Sequence, residues 1–407
     1  MRAREYACTE LTDKEIVAMR LKYGAKHYIT IPDFVPDHAK GVWIWDVNGK
    51  KYLDLNATYS AIAVGHCDPE LIEAMVEQAR RLTSVQNKFP TAPQAQLLQL
   101  IAQLTGMDRT IFMNGGAEAV DTATKGCLRW GYEVKGGVHE NSAEIIVATN
   151  CFHGRTHNAT AMSSNPKYRR NFGPFAPGYI HIPFGDFDAF NNAVSRNTAA
   201  FIVEPIQGEG GIILPPPDYL QKVRAYCTIY NILLIFDEIQ TGFGRTGKLF
   251  ASEHYGVKPD GVILGKALGE IYPVSAFAGT NRLMDVFDPG SHGSTFGGNP
   301  LGCAIALKSL EMILRYDRAL VRNSAEVGAY FLEQLKNAGL NAHGKGLFIG
   351  VQIEKSAEAA CHRLLMCEPG IIAGAAGHDN VVRLTPSLPF TKADADIALP
   401  HLGAVLR

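Results

Sequence analysis

Residues 231–238 read NILLIFDE, and on them the fold turns. Five apolar residues, Ile232 to Phe236, follow one another without the period-2 alternation of a half-exposed strand, so the run describes a strand buried on both faces. It ends on Asp237, where an ionised carboxylate is costly unless a cation meets it. Capping of the following chain by Asp237 or Glu238 is the plainer reading of the same residues.

Similar short runs lie on either side: RTIFMN (109–114), EIIVATN (144–150), AAFIVEP (199–205), GVILG (261–265) and VSAFAG (274–279). Longer amphipathic stretches alternate with them. One is PDYLQKVRAYCTIY (217–230), with its proline at the start, where a helix tolerates a missing N–H. Alternation of this kind is the signature of βαβ units. It predicts an α/β protein with a mostly parallel central sheet, helices on both faces, from about residue 50 to about 290. After GGNPLG (297–302) the pattern changes to the helical run CAIALKSLEMILRY (303–316). The expected division is an N-terminal segment, 1–48, packing with a smaller α/β C-terminal domain, 299–407, and a large domain, 49–298, between them.

The 39 Lys+Arg balance 40 Asp+Glu, for a formal charge of −1, which gives no electrostatic case for a nucleic-acid or membrane partner. Small molecules become the expected ligands. Eight cysteines are scattered without close CxxC spacing, which predicts no metal site and the reduced thiols of a cytoplasmic protein. The charged N-terminus MRAREYACTELTDKEIVAMR lacks the apolar core of a secretory signal, and no stretch approaches ~20 uninterrupted apolar residues.

In open α/β sheets, ligands collect at the carboxyl ends of the parallel strands. Polar and glycine-rich residues fall there repeatedly: Asn114-Gly115-Gly116, Phe152-His153-Gly154-Arg155, Glu204 with Glu209, Asp237 with Gln240, and Lys266. The paired glycines before a helix make an anion site of free N–H groups. Gly261 to Ala267 is not a nucleotide phosphate loop, having three residues between its glycines and Ala267 where Ser or Thr is needed. A lone lysine closing an apolar run either snorkels to solvent or has its amine consumed in a covalent bond. A phosphate cradle, a carboxylate and an amine are together what pyridoxal phosphate requires.

Five longer motifs carry a family resemblance: FHGRT (152–156), VEPIQGEGG (203–211), DEIQTGFGRTG (237–247), ILGKALG (263–269) and HGSTFGGNPLG (292–302). In this order, from about Tyr23 to about Leu388, the chain resembles the class III, fold type I pyridoxal-phosphate aminotransferases, its ornithine branch most. The resemblance implies transfer of the δ-amino group of ornithine to 2-oxoglutarate, with amino acids and 2-oxo acids as partners. An acetylornithine-type or other ω-amino-acid aminotransferase, an amino-acid racemase, or a cofactor-binding protein without turnover are the alternatives. It further implies that Lys266 attaches the cofactor and moves the substrate proton, and that Asp237 keeps the pyridine nitrogen protonated. Gly115, Gly116 and Ala117 match the phosphate loop, Phe152 the aromatic on the ring face with His153 beside it, and Gln240 the residue near the ring hydroxyl. Thr295 matches a threonine that reaches the phosphate from a neighbouring subunit, which implies a homodimer with shared active sites. Arg155 matches the arginine for a substrate carboxylate, Glu209 and Arg383 a glutamate masking a second arginine, and Tyr28 and Tyr59 the tyrosines lining the ornithine site. One departure is KALGEIYP, where Glu270 replaces a glycine in a segment one residue shorter than the ornithine branch usually carries. Its spacing from Lys266 to Pro273 resembles the acetylornithine branch. Glu270 is expected as a solvated loop carboxylate, or as one facing the substrate entrance and attracting an extra ammonium.

Overall fold

The computed structural model describes residues 11–376 and 379–407. Cys8 and the first ten residues of the charged N-terminal run lie outside the described residues. After the helix Asp13–Tyr23, three strands form an antiparallel meander: β1 (Pro36–Lys40), β2 (Trp43–Asp46) and β3 (Lys51–Asp54). Seven more build the central sheet: β4 (Arg109–Met113), β5 (Glu144–Ala148), β6 (Tyr179–Ile182), β7 (Thr198–Val203), β8 (Leu233–Asp237), β9 (Gly261–Leu264) and β10 (Ser275–Gly279). Their order is β4-β10-β9-β8-β7-β5-β6. From β9 to β6 every pairing is parallel, while β10 runs antiparallel to both β4 and β9.

The missing alternation in the sequence is explained by what the two faces meet. Ile145, Val147, Ala200, Ile202, Leu233 and Ile235 pack into a core with the helix Gly116–Trp130 on one side. Ile146, Ala148, Phe201, Val203, Leu234 and Phe236 pack on the other side against the helix Tyr219–Ile229. Every residue of β7 and β8 is buried. The strand β6, not anticipated from sequence, lies at the edge, where only its last residue is fully buried.

The C-terminal strands are β11 (Asn341–Lys345), β12 (Phe348–Gln352), β13 (Gly370–Ile372), β14 (Gly374–Ala375) and β15 (Val381–Leu384). Four of them form an antiparallel sheet, β11-β12-β15-β14, while β13 leaves it to pair in parallel with β3. Val42, Leu53 and Leu55 accordingly share one core with Phe331, Ile349, Ile371 and Leu402. The sequence boundary between residues 48 and 49 falls inside the β2–β3 hairpin.

A long helical segment, Pro300–Asn337, contributes to two cores and breaks at Arg315–Arg318, where Tyr316, Asp317 and Arg318 take positive φ. Before the break, Ile305, Leu310 and Ile313 pack with Leu264 and Ala276 of the central sheet. Beyond it, Val327, Phe331 and Leu335 belong to the second core. Val321, just past the kink, still packs in the first core, so the passage to the second lies between Val321 and Val327.

Candidate active site

The carboxyl ends of the parallel strands surround a cavity of about 190 Å3, lined among others by Gly116, Ala117, Phe152, His153, Glu204, Asp237, Gln240 and Lys266. At one end stands the helix Gly116–Trp130. Glu118 folds back to accept the N–H groups of Asn114 (3.0 Å) and Gly115 (2.7 Å). The N–H groups of Gly116 and Ala117, first in the helix, have no intrahelical acceptor. Gly154 presses against this turn with φ +127°, and a Cβ there would lie 2.5 Å from that of Ala117. Only glycine fits both the conformation and the space.

Asp237 lies at the end of β8, almost fully buried. Its Oδ1 accepts the Ile239 N–H at 3.0 Å, and its Oδ2 accepts the Nδ1–H of His153 at 2.7 Å. Burial disfavours charge on His153, but Cys151 and Asp237 beside it win, and its pKa is raised well above the usual histidine value. Glu204 accepts the N–H of Phe152 at 3.0 Å and of Gly208 at 3.1 Å, fixing two of the loops that line the cavity. Burial, partly opposed by His153, pushes its pKa up to about 7.

Lys266 follows β9 on a single 3-10 turn with φ +46°, a left-handed conformation that costs a non-glycine residue on the order of 1 kcal/mol. Among the described residues its amine has no hydrogen-bond or ion-pair partner. Burial lowers its pKa to about 8, against the pull of Asp237. An unpaired amine, a helix end with open N–H groups and a carboxylate locked to a histidine, around one cavity walled by Phe152, fit pyridoxal phosphate.

Beside this cavity the remaining expected residues gather in two groups. Gln240 donates to the Tyr59 carbonyl at 3.2 Å, and its side chain passes so close to Gly208 that a Cβ there would meet Oε1 at 1.9 Å. Tyr59 belongs to a run, Ala57 to Ser60, in which all four residues take positive φ. Asp54 holds the start of that run, accepting the N–H groups of Asn56 (2.8 Å) and Ala57 (2.9 Å). The second group pairs Arg383 Nη1 with Glu209 Oε2 at 2.6 Å. Arg155 has no carboxylate partner among the described residues and shares a cavity of about 370 Å3 with Tyr28 and Tyr168. Tyr168 carries no motif, yet it touches both arginine sites, and sequence reasoning missed it, as it missed the clamp made by Glu204. Thr295 lies apart, in a recess with Asn114, Ser294 and Phe296 that the Lys266 cavity does not include.

Both expectations for Glu270 are overturned. The side chain is neither solvated nor at an entrance: it is 6% exposed, and its Oε1 accepts the N–H groups of Ala63 (2.7 Å) and Val64 (2.8 Å). Burial pushes its pKa up to about 8, against those hydrogen bonds and the Arg245 guanidinium. The carboxylate ties the turn after Lys266, whose carbonyl accepts the Glu270 N–H at 3.0 Å, to the chain at Ala63 and Val64.

The chain matches the family model Aminotransferase class-III over residues 23–406. It is 44% identical to the ornithine aminotransferase of Brevibacillus brevis, covering 96% of this chain and 98% of that one. Its identity to the ornithine aminotransferase of Halalkalibacterium halodurans is 45%, with 95% and 96% covered. Among solved structures it is similar to the Toxoplasma gondii ornithine aminotransferase, described with partial occupancy of PLP at the active site. That match has a TM-score of 0.92 and 36% identity over 97% of this chain and 94% of the other. The Elizabethkingia anophelis acetylornithine aminotransferase superposes with a TM-score of 0.84 at 37% identity, over 97% and 98%.

Proposed function

We propose, on the premise that this chain belongs to the class III aminotransferase family, that it moves the δ-amino group of ornithine to 2-oxoglutarate, giving glutamate 5-semialdehyde and glutamate. The chain is a pyridoxal-phosphate-dependent aminotransferase of fold type I. Bound pyridoxal phosphate supplies an aldehyde carbon that exchanges amines and a protonated pyridine that draws electrons from the substrate carbon.

In this reading Gly115, Gly116 and Ala117 hold the phosphate, and Phe152 and Gln240 border the ring. Asp237, fixed by His153 and the Ile239 N–H, keeps the pyridine nitrogen charged. Lys266 Nζ attaches the cofactor, then takes and returns the proton at the substrate carbon that bears the amine. Its lowered pKa leaves a usable fraction neutral near pH 7. Arg155 receives the substrate carboxylate, with Tyr28 and Tyr59 alongside.

The observation that carries the donor assignment is the unequal state of two neighbouring guanidinium groups. Arg155 is open, whereas Arg383 is covered by Glu209. One open cation suits a donor with one carboxylate and a distant amine; a second, uncovered when Glu209 swings away, suits the dicarboxylate acceptor. An acetylornithine donor is the second reading, favoured by the spacing from Lys266 to Pro273. The same proposal includes a cytoplasmic homodimer with shared sites, in which Thr295, outside its own chain's Lys266 cavity and next to exposed Phe296, serves the cavity of a second copy. Among the described residues, no helix is long and apolar enough to cross a membrane.

Half-reactions test this directly. Purified holoenzyme is mixed in turn with ornithine, acetylornithine, lysine, 4-aminobutyrate and glutamate while the cofactor absorbance is followed. Ornithine is expected to react with the highest kcat/KM, and acetylornithine above it would overturn the assignment. Glu209→Ala should raise the glutamate-to-ornithine ratio by about tenfold, the Coulombic share of one partly buried pair. An unchanged ratio would leave Arg383 with structure alone.

A further inference from the structure

Between the open arginine and the covered one stands Tyr168. Its hydroxyl donates to Glu209 Oε1 at 3.3 Å, while Glu209 Oε2 holds Arg383. The Arg155 guanidinium carbon lies 3.5 Å from the centre of the Tyr168 ring and 5.3 Å from that of Phe152. The two rings meet edge to face at 6.0 Å. One side chain thus offers a cation-π face to the first arginine and a hydrogen bond to the mask of the second.

The backbone that carries Tyr168 is pinned. Asn165 caps the short turn Pro166–Arg169, and Arg169 Nη1 donates to the carbonyls of Ala161 (2.7 Å) and Ser163 (3.0 Å). Burial, followed by the Glu209 charge, raises the Tyr168 pKa, so the hydroxyl stays a donor throughout the working pH range. When a dicarboxylate arrives, its second carboxylate competes with Glu209 for Arg383. Every contact that retains Glu209 then counts against the dicarboxylate and leaves a monocarboxylate donor unaffected.

We propose that Tyr168 is a positioning residue that sets the balance between the two substrates: its hydroxyl retains Glu209 on Arg383 while its ring supports Arg155. This rests on the functional reading above, in which Arg155 and Arg383 receive carboxylates.

The test uses holoenzyme and glutarate, a dicarboxylate without an amine, with binding read by titration calorimetry alongside the two half-reactions. Tyr168→Phe keeps the ring and removes one hydrogen bond to a charged group. It should bind glutarate about fivefold more tightly and raise the glutamate-to-ornithine ratio of kcat/KM by the same factor. Tyr168→Leu removes the ring too, and KM should rise for both donors. A merely structural tyrosine would lower the melting temperature and leave the ratio alone. Glutarate affinity and donor ratio in Tyr168→Phe within twofold of wild type would overturn the inference while the wild-type enzyme still turns over ornithine. Wild-type protein that converts neither donor and binds no glutarate would bring down the functional reading, and the inference with it.

Discussion

Asp237 at the floor of the cavity and Glu270 in the turn after Lys266 are both buried carboxylates, and they are satisfied by different partners. Asp237 on the floor meets a histidine held in its charged form and faces the cavity. Glu270 in the turn after Lys266 is hydrogen-bonded only by backbone N–H groups, with the Arg245 guanidinium acting on it through charge alone, and its second oxygen has no hydrogen-bond partner. Desolvation bears on both. Where a hydrogen-bonded cation and an open cavity accompany the buried acid, the charge is available for chemistry; where only dipoles of the chain bond to it, the acid is part of the architecture. Burial alone does not separate the two roles.

The sharpest attempt to break this contrast is to neutralise the floor. Asp237→Asn should lower kcat by about 10^2 to 10^4, since removing one partner of a buried charge pair costs ~3–5 kcal/mol, while the protein still folds. Near wild-type turnover would erase the distinction. Glu270→Gln keeps an oxygen for both N–H groups and should leave turnover within about twofold. Glu270→Ala strands those two N–H groups and should cost ~1–3 kcal/mol of stability, read from the unfolding midpoint. Glu270→Gly should cost ~1 kcal/mol less than Ala, because residue 270 sits at φ +53°.

The smallest effects are in the pH dependence of the cofactor-free protein. The folded pKa of Glu270 is about 8 against an ordinary 4.5, so the folded state binds the extra proton, and its contribution to stability falls as pH rises through that window. Glu204 adds to the fall only up to about pH 7. Lys266 acts in the opposite sense: with a folded pKa of about 8 against 10.5, stability rises between those values as the unfolded chain binds more protons. His153, its pKa raised well above 6.5, contributes to the same fall, so thermal unfolding across pH 5–10 should show a shallower fall between about pH 7 and 8 in Glu270→Gln and lose its rise above about pH 8 in Lys266→Met. Curves whose two limbs match those of the wild type would refute the assignment.

Much of the floor was legible in the sequence because its residues sit where apolar runs end. The strands β4, β5, β7, β8, β9 and β10 were each marked by such a run, and the polar residue or glycine after each parallel strand fell on the site. The direction of β10 was not, since an apolar run reads alike in either sense. Edge strand β6, YIHI, is too short and too mixed to declare itself. Glu270 was misread for a definite reason: its donors, Ala63 and Val64, lie 207 and 206 positions away, and no local pattern announces that a carboxylate in a glycine-rich loop will be buried. Tyr168, in NPKYRR, looks like any exposed polar turn until the fold brings Glu209 and Arg155 to it.

The pairing of β13 with β3 also fixes a timetable for biosynthesis. All seven strands of the central sheet, with Asp237 and Lys266 at their ends, have been made once residue 279 is reached, and the helical segment that packs on them, from Pro300, follows directly. The partner that finishes the N-terminal sheet emerges about 90 residues later, roughly 5–20 s at ordinary elongation rates, and Arg383 follows it. During that interval Tyr59 and its left-handed turn wait at the N-terminal end for a strand not yet translated. The residues around Lys266 are thus translated before Arg383 and its sheet, so the cation that Glu209 covers is the last part of the site to be made.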